Sequence, residues 1–195
     1  MQQQPTIRFR RDLLLAGSLL LLSLLSAQPS PAQDKPVDAM CMLEEHNILR
    51  AAVGTPELRW SDALAGQAAA WAKELQKTGC GMKHSQSGLG ENIYWASAWK
   101  SGTRSPGKSS WQWRLSPQPI TEKNVVASWG VEQSWYSQAS NTCAAPSGKS
   151  CGHYTQMVWR TTREVGCAKA ICEDSSQVWV CNYAPAGNII GRRPY

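Results

Sequence analysis

Six of the seven cysteines lie beyond residue 79, and four of them fall between Cys151 and Cys181. What such a set can build depends on the compartment: cysteines pair in an oxidising environment and serve metal or redox chemistry in a reducing one. The N-terminus addresses that choice. Arg8, Arg10 and Arg11 precede an uncharged, leucine-rich run over residues 13–27. The run is shorter than the roughly 20 apolar residues a spanning helix needs. With its basic start and its small-residue ending at Leu25-Ser26-Ala27, it reads as a signal peptide over 1–27. The expectation is a secreted, extracellular chain that is not an integral membrane protein once the leader is cut. Cleavage removes Arg8, Arg10, Arg11 and Asp12, which lowers the formal net charge from +6 by 2 to +4. The mature chain is mildly basic. In that compartment six cysteines pair and Cys41, which stands apart near the mature N-terminus, is left over; by count alone six cysteines allow 15 pairings. No CxxC pair occurs, so a zinc ribbon is not indicated.

Beyond the leader, residues 28–40 are polar and Pro-rich and read as a disordered lead-in. Residues 41–195 are long enough for one domain. A helix is expected from Met42 to Val53, stopped by Gly54 and Pro56. A second starts after Ser61, carries Leu64, Ala68, Trp71 and Leu75 on one stripe, and ends at Gly79. Thr121 caps a third, with Val125, Trp129 and Glu132 on related faces, and a short helix follows Gly152. Two strands close the chain, over 165–172 and 177–183, joined by a turn at 173–176. Helices first and strands later indicate an α+β fold. Between them, residues 95–124 read as an irregular insertion containing Lys100, Arg104, Lys108, Arg114 and Lys123 among Trp95, Trp99, Trp111 and Trp113.

The chain has three histidines, His46, His84 and His153. Imidazole is the commonest metal ligand and the usual proton shuttle near neutral pH. Glu91 follows His84 by seven residues, and Glu132 lies on the third expected helix. Two imidazoles and two carboxylates around one cavity would hold a divalent cation or serve as acid and base. A lone His or Glu is more often a hydrogen-bonded structural residue, so spacing alone favours the structural reading.

Four segments carry a family resemblance. GHYTQMVWRTT (152–162), VWVCNYAPAGNI (178–189), HNILR (46–50) and GENIYWAS (90–97) resemble, in order, motifs of the CAP superfamily of cysteine-rich secretory, antigen 5 and pathogenesis-related proteins. The nearest branch is plant pathogenesis-related protein 1, through NTCAAPSGKSCGHYTQMVWRTT and CNYAPAGNIIGRRPY. The resemblance implies a disulfide-stapled, three-layer α-β-α sandwich of the CAP/SCP type with a shallow cleft. It implies a cleft set of His84, Glu91, Glu132 and His153, with zinc the first choice of divalent metal. It implies a structural role for His46, Asn47 and Arg50. It also implies the pairs Cys80–Cys172, Cys143–Cys151 and Cys167–Cys181, with Cys41 free.

The favoured function is a non-enzymatic extracellular binder of a sterol or other lipid, with a divalent-metal cleft, in defence or host interaction. The enzyme alternative is metal-dependent hydrolysis at the His/Glu cleft. No HExxH motif supports it. For the insertion, the plain reading is a solvated loop whose Trp side chains cover the core. The sharper one is a grip on an extracellular cell-wall glycan, since basic and aromatic side chains together hold anionic polymers; for an exported chain, glycan is more accessible than nucleic acid. The C-terminal PAGNIIGRRPY (185–195) is expected to stay docked, although it matches a tail that relatives are thought to release as a peptide signal.

Overall fold

The computed structural model describes Met1, residues 35–107 and residues 109–195. The signal-peptide reading and most of the lead-in lie outside the described residues. The first helix, α1 (Ala39–Ala52), begins earlier than the sequence suggested. The Asp38 side chain accepts hydrogen bonds from the backbone N–H groups of Met40 and Cys41, both at 3.1 Å. That N-cap satisfies donors which have no partner inside the helix, so the helix extends back to it. Cys41 is therefore a helical residue, not part of the segment before the helix.

A two-residue strand β1 (Arg59–Trp60) leads into α2 (Asp62–Lys77), capped by Ser61, whose side chain accepts from the Leu64 N–H. Leu64, Ala68, Ala72 and Leu75 are its buried stripe. Trp71 lies at the margin of that stripe and donates its indole N–H to the Lys83 carbonyl at 2.8 Å. Strand β2 (Gly90–Ala96) follows, then β3 (Trp99–Thr103) and β4 (Gln112–Ser116). Helix α3 (Glu122–Gly130) has a reciprocal cap between Thr121 and Asn124 and continues into a 3-10 turn, Val131–Trp135. After the short strands β5 (Tyr136–Ser137) and β6 (Thr142–Cys143) come α4 (Gly152–Met157), β7 (Glu164–Ile171) and β8 (Gln177–Ala184).

The main sheet has the order β1-β7-β8-β2, with β8 antiparallel to both neighbours. Side chains alternate across a strand, and β8 uses both faces. Trp179, Cys181 and Tyr183 pack with Met42, Val126, Trp129 and Met157 on the side of α1, α3 and α4. Val178 and Val180 pack with Ala68, Ala72 and Leu75 of α2 on the other. Helices on both faces of the sheet make the three-layer α-β-α sandwich. A Cβ at Gly166 would overlap the backbone of Ser61, Leu64 and Ala65, so a residue without one lets the first turn of α2 lie directly on β7.

Disulfides join Cys80 to Cys172, Cys143 to Cys151 and Cys167 to Cys181, and Cys41 is free. Cys167 and Cys181 face each other across the β7–β8 ladder. The Cys80–Cys172 bridge spans 92 residues, tying the end of α2 to the end of β7. Restricting so long a loop in the unfolded chain contributes on the order of 3–5 kcal/mol.

The insertion departs from the irregular segment expected at 95–124. Its first residues belong to β2, and β3 and β4 pair with each other as a separate two-stranded hairpin. Its tryptophans do not cover the core: Trp99, Trp111 and Trp113 are each more than half exposed. The tail is docked. The Arg160 N–H donates to the Pro194 carbonyl at 2.7 Å, Gln138 donates to the Tyr195 carbonyl at 3.0 Å, and the Tyr154 and Tyr195 hydroxyls meet at 3.1 Å.

His46 is fully buried, with Nδ1 2.7 Å from the Met42 carbonyl and Nε2 2.8 Å from the Tyr183 hydroxyl. A carbonyl can only accept, so Nδ1 carries the proton and Nε2 accepts from Tyr183. Burial holds the imidazole neutral, lowering its pKa from 6.5 to about 4. Because the unfolded chain takes up this proton first, stability is present above pH 6.5 and is lost as pH falls from 6.5 towards 4, by about 3 kcal/mol at the low end. Chemical denaturation across that range should show this slope, and His46→Gln should flatten it. Cys41 gives a second measurement. Burial, and then the carboxylates of Glu122, Asp38, Glu45 and Glu44, raise its thiol pKa. Native alkylation should add one label per chain, at Cys41, at a rate rising with alkalinity; a label on Cys80 or Cys172 would contradict the pairing.

Candidate functional site

The HNILR segment is structural because helical spacing turns its three polar side chains inward from α1. His46 and Arg50, four residues apart, share one face. The Asn47 amide exchanges two hydrogen bonds with the Leu58 backbone, donating at 3.2 Å and accepting at 2.8 Å. The Arg50 guanidinium, buried without a carboxylate partner, donates to the carbonyls of Pro56 at 2.6 Å, Met157 at 2.8 Å, Trp159 at 3.0 Å and Thr162 at 3.1 Å. Burial and the nearby Arg163 charge lower its pKa to about 10. It remains a cation at neutral pH, held by carbonyl dipoles. Those carbonyls end α4 and shape the loop behind it, so Arg50 anchors the element on which His153 stands.

The four cleft residues form two pairs. His84 Nδ1 lies 2.6 Å from Glu91 Oε1, and that same oxygen accepts the Ser85 N–H at 3.0 Å. His153 Nδ1 lies 2.6 Å from Glu132 Oε1. Glu132 does not sit on the third helix, as its spacing suggested, but on the 3-10 turn after it. That turn places its other oxygen at the start of α4, where it accepts the N–H groups of His153 at 2.9 Å and Tyr154 at 3.0 Å. A carboxylate there satisfies unpaired helix donors and complements the positive end of the helix. Glu132 thus orients an imidazole and caps a helix at once, a double role its sequence position did not signal.

The pairs line different cavities. His84 and Glu91 border one of about 260 Å³, lined also by Gln156 and Asn188. His153 and Glu132 border a larger one of about 480 Å³, whose walls include Met82, Ile93, Tyr94, Trp95, Val131 and Trp135. Glu91 is opposite Asn182 in the ladder and Asn92 is opposite Cys181, so the two consecutive residues face opposite sides of the sheet. Asn92 on the His153 side donates to the His153 carbonyl and to the Tyr183 hydroxyl, both at 3.1 Å. The chain of contacts from Met42 through His46, Tyr183 and Asn92 thus reaches the backbone of His153. Asn92 and Tyr183 were not singled out from sequence, although both lie inside the quoted motifs. The His153 ring also stacks on Trp129, 13° from parallel at 6.0 Å.

For a metal, the donor chemistry fits. Each histidine has Nδ1 on a carboxylate, which is how protein imidazoles are oriented to offer Nε2 to an ion. Glu91 Oε2 is a buried oxygen without a hydrogen-bond partner. Among the described residues, however, no group of three or more His, Cys, Asp or Glu is arranged around a common point.

Replacing Glu132 with Gln should lower stability by about 2 kcal/mol, the scale of hydrogen bonds to a charged acceptor. His153→Ala, which leaves the two backbone bonds to Glu132 in place, should cost less. Thermal denaturation of the two variants checks the order.

Comparison with known proteins agrees with this architecture. Residues 43–183 match the cysteine-rich secretory protein family, CAP. The chain is 38% identical over 179 residues to pathogenesis-related protein PRMS of Zea mays, covering 91% of this chain and 92% of that one. It is 36% identical over 178 residues to pathogenesis-related protein 1C of Nicotiana tabacum, covering 91% of each. Among solved structures, a Schistosoma mansoni venom allergen-like protein 4 superposes with a TM-score of 0.54 at 24% identity, over 80% of this chain and 92% of that one. NaASP2, solved with Zn2+, superposes with a TM-score of 0.56 at 24% identity, over 80% and 84%. A sheet with helices on both faces, three disulfides and a family match across most of the chain lead to one assignment: the chain belongs to the CAP family, with plant pathogenesis-related protein 1 proteins among its relatives.

Proposed function

We propose that this chain is an extracellular, defence-related binding protein whose larger cavity takes an apolar small molecule, a sterol or other lipid. The observation that carries the reading is the wall chemistry of that cavity. About 480 Å³ lies within the range of small-molecule sites, and Met82, Ile93, Tyr94, Trp95, Val131 and Trp135 make much of its wall apolar, beside Ser128, Lys149 and Ser150. Its lining also holds the hydrogen-bonded pair His153 and Glu132. A ring system with one hydroxyl suits such a cavity: its body displaces water from the indoles, and its hydroxyl meets the imidazole–carboxylate pair. Equilibrium binding of a sterol to the purified protein should be saturable. Trp135→Ala, which removes wall area, should weaken it about tenfold, the scale of burying one large apolar side chain. Binding unchanged by this variant, or absent from the parent, would remove the reading.

The twin His–Glu pairs favour a second ligand, a divalent ion such as zinc. Each pair would offer such an ion one imidazole, His84 oriented by Glu91 and His153 oriented by Glu132. When bound, the ion would supply a Lewis acid. The chain's own part is to hold both Nδ1 atoms and keep each Nε2 available. Titration calorimetry should show zinc uptake that His84→Ala/His153→Ala abolishes; equal uptake by both proteins would remove the site. An ester and peptide panel on the same samples should show no turnover, and turnover lost with His153→Ala would place hydrolysis at this cleft instead.

A further inference from the structure

The β3–β4 hairpin stands outside both cavities and outside the sandwich core, and its two faces differ. Cross-strand register pairs Lys100 with Leu115 and Gly102 with Trp113 on one face. Trp111, two residues before Trp113, joins that face, and its ring stacks on Trp113 at 5.8 Å and 20° from parallel. Gly102 makes the arrangement fit: a Cβ there would stand 2.7 Å from the Trp113 ring and 3.0 Å from that of Trp111. The two indoles lie across the bare backbone of β3. Trp111, Trp113 and Leu115 are each more than half exposed. This is an apolar patch on a two-stranded element that no layer of the described residues covers, and such exposure marks an interaction surface.

Charge names the partner. Residues 92–121 contain no Asp or Glu, and their ionisable side chains of fixed charge are Lys100, Arg104, Lys108 and Arg114. The Lys100 ammonium sits 4.6 Å from the centre of the Trp113 ring, its charge at the edge of the apolar face. Indoles and a leucine side by side, with Lys100 on their face, Arg114 on the opposite face and no carboxylate within residues 92–121, match an anionic lipid bilayer. Trp prefers the headgroup boundary, Leu gains by leaving water, and Lys and Arg extend to phosphates. A sugar platform is a poorer match. Leu115 offers nothing to hydroxyls, Gln112 lies on the opposite face, and the Trp113 ring is already engaged by Trp111 and Lys100.

We propose that this hairpin is a membrane-docking element that seats the protein on anionic bilayers through Trp111, Trp113 and Leu115, with Lys100 and the neighbouring basic residues at the phosphates. Its base suits an appended element. Gln118 donates to the Ser97 carbonyl at 2.9 Å and its own carbonyl accepts from Gln177 at 2.9 Å, so both strands leave from a fixed point on the sandwich.

The test is co-sedimentation of the protein purified from expression medium with phosphatidylcholine vesicles, with and without phosphatidylglycerol. The parent should bind the anionic vesicles, bind neutral ones weakly, and lose affinity as salt rises. Trp111→Ser/Trp113→Ser/Leu115→Ser should reduce binding about tenfold or more. Lys100→Glu/Arg114→Glu, which leaves the indoles in place, should remove the preference for anionic lipid. Trp135→Ala, in the cavity wall, should bind vesicles like the parent, which separates this surface from the proposed ligand cavity. No vesicle binding by the parent, equal binding by the triple variant, or retention of the parent on polygalacturonate but not on vesicles would overturn the proposal. The last outcome would assign the hairpin to a glycan.

Discussion

A buried guanidinium without a counter-ion is the constraint on which the sandwich is arranged. Isolated charge is costly away from water unless every donor is met. Arg50 directs four of its five N–H donors to backbone carbonyls from three places: the turn after α1, the end of α4, and the loop that enters β7. Each carbonyl has to arrive at its own angle, so these bonds fix the segments relative to α1. Two consequences reach the site. The end of α4 is held by Arg50, while its beginning is held by Glu132. The helix that carries His153 is therefore clamped at both ends by charged side chains from other elements.

The cleft depends on this clamp and on the strand beside it. His46, Tyr183 and Asn92 connect the interior of α1 to the His153 backbone through hydrogen bonds whose directions are settled by the Met42 carbonyl at one end. The network works with a neutral His46, because a proton on Nε2 would oppose the Tyr183 hydroxyl that donates to it. Burial and hydrogen bonding thus point the same way. On the other face of β2, Glu91 keeps one oxygen on His84 and leaves the other unpartnered.

The hairpin shows where sequence reading went astray and why. Abundant Trp suggests burial, since large aromatics usually cover cores. The count of Trp does not tell inside from outside; register does. Gln112, Trp113, Arg114, Leu115 and Ser116 alternate polar and apolar, a strand signal that the surrounding Gly, Ser and Pro obscured. The stack of Trp111 on Trp113 could not be read in advance, because it needs the bare backbone of Gly102 brought across from the partner strand. Similarly, α1 starts at Ala39 because Asp38 caps it, a local rule present in the sequence but hidden by the Pro-rich stretch before it.

By itself the sequence determined the helices with their caps and stripes, the closing pair of strands, and, through long ordered motifs, the family with its cysteine pairing. These are local or pattern-level properties: period, turn chemistry and spacing survive without coordinates. Tertiary structure alone decided how the four cleft residues divide. Glu91 borders a cavity with His84, while Glu132 and His153 border another whose walls include Ile93 and Trp95. It also decided that Glu132 caps α4 while holding His153, since that contact joins residues 21 and 22 positions apart through a 3-10 turn. Long-range hydrogen bonds leave no period in a sequence, because the partners meet only after the layers have packed.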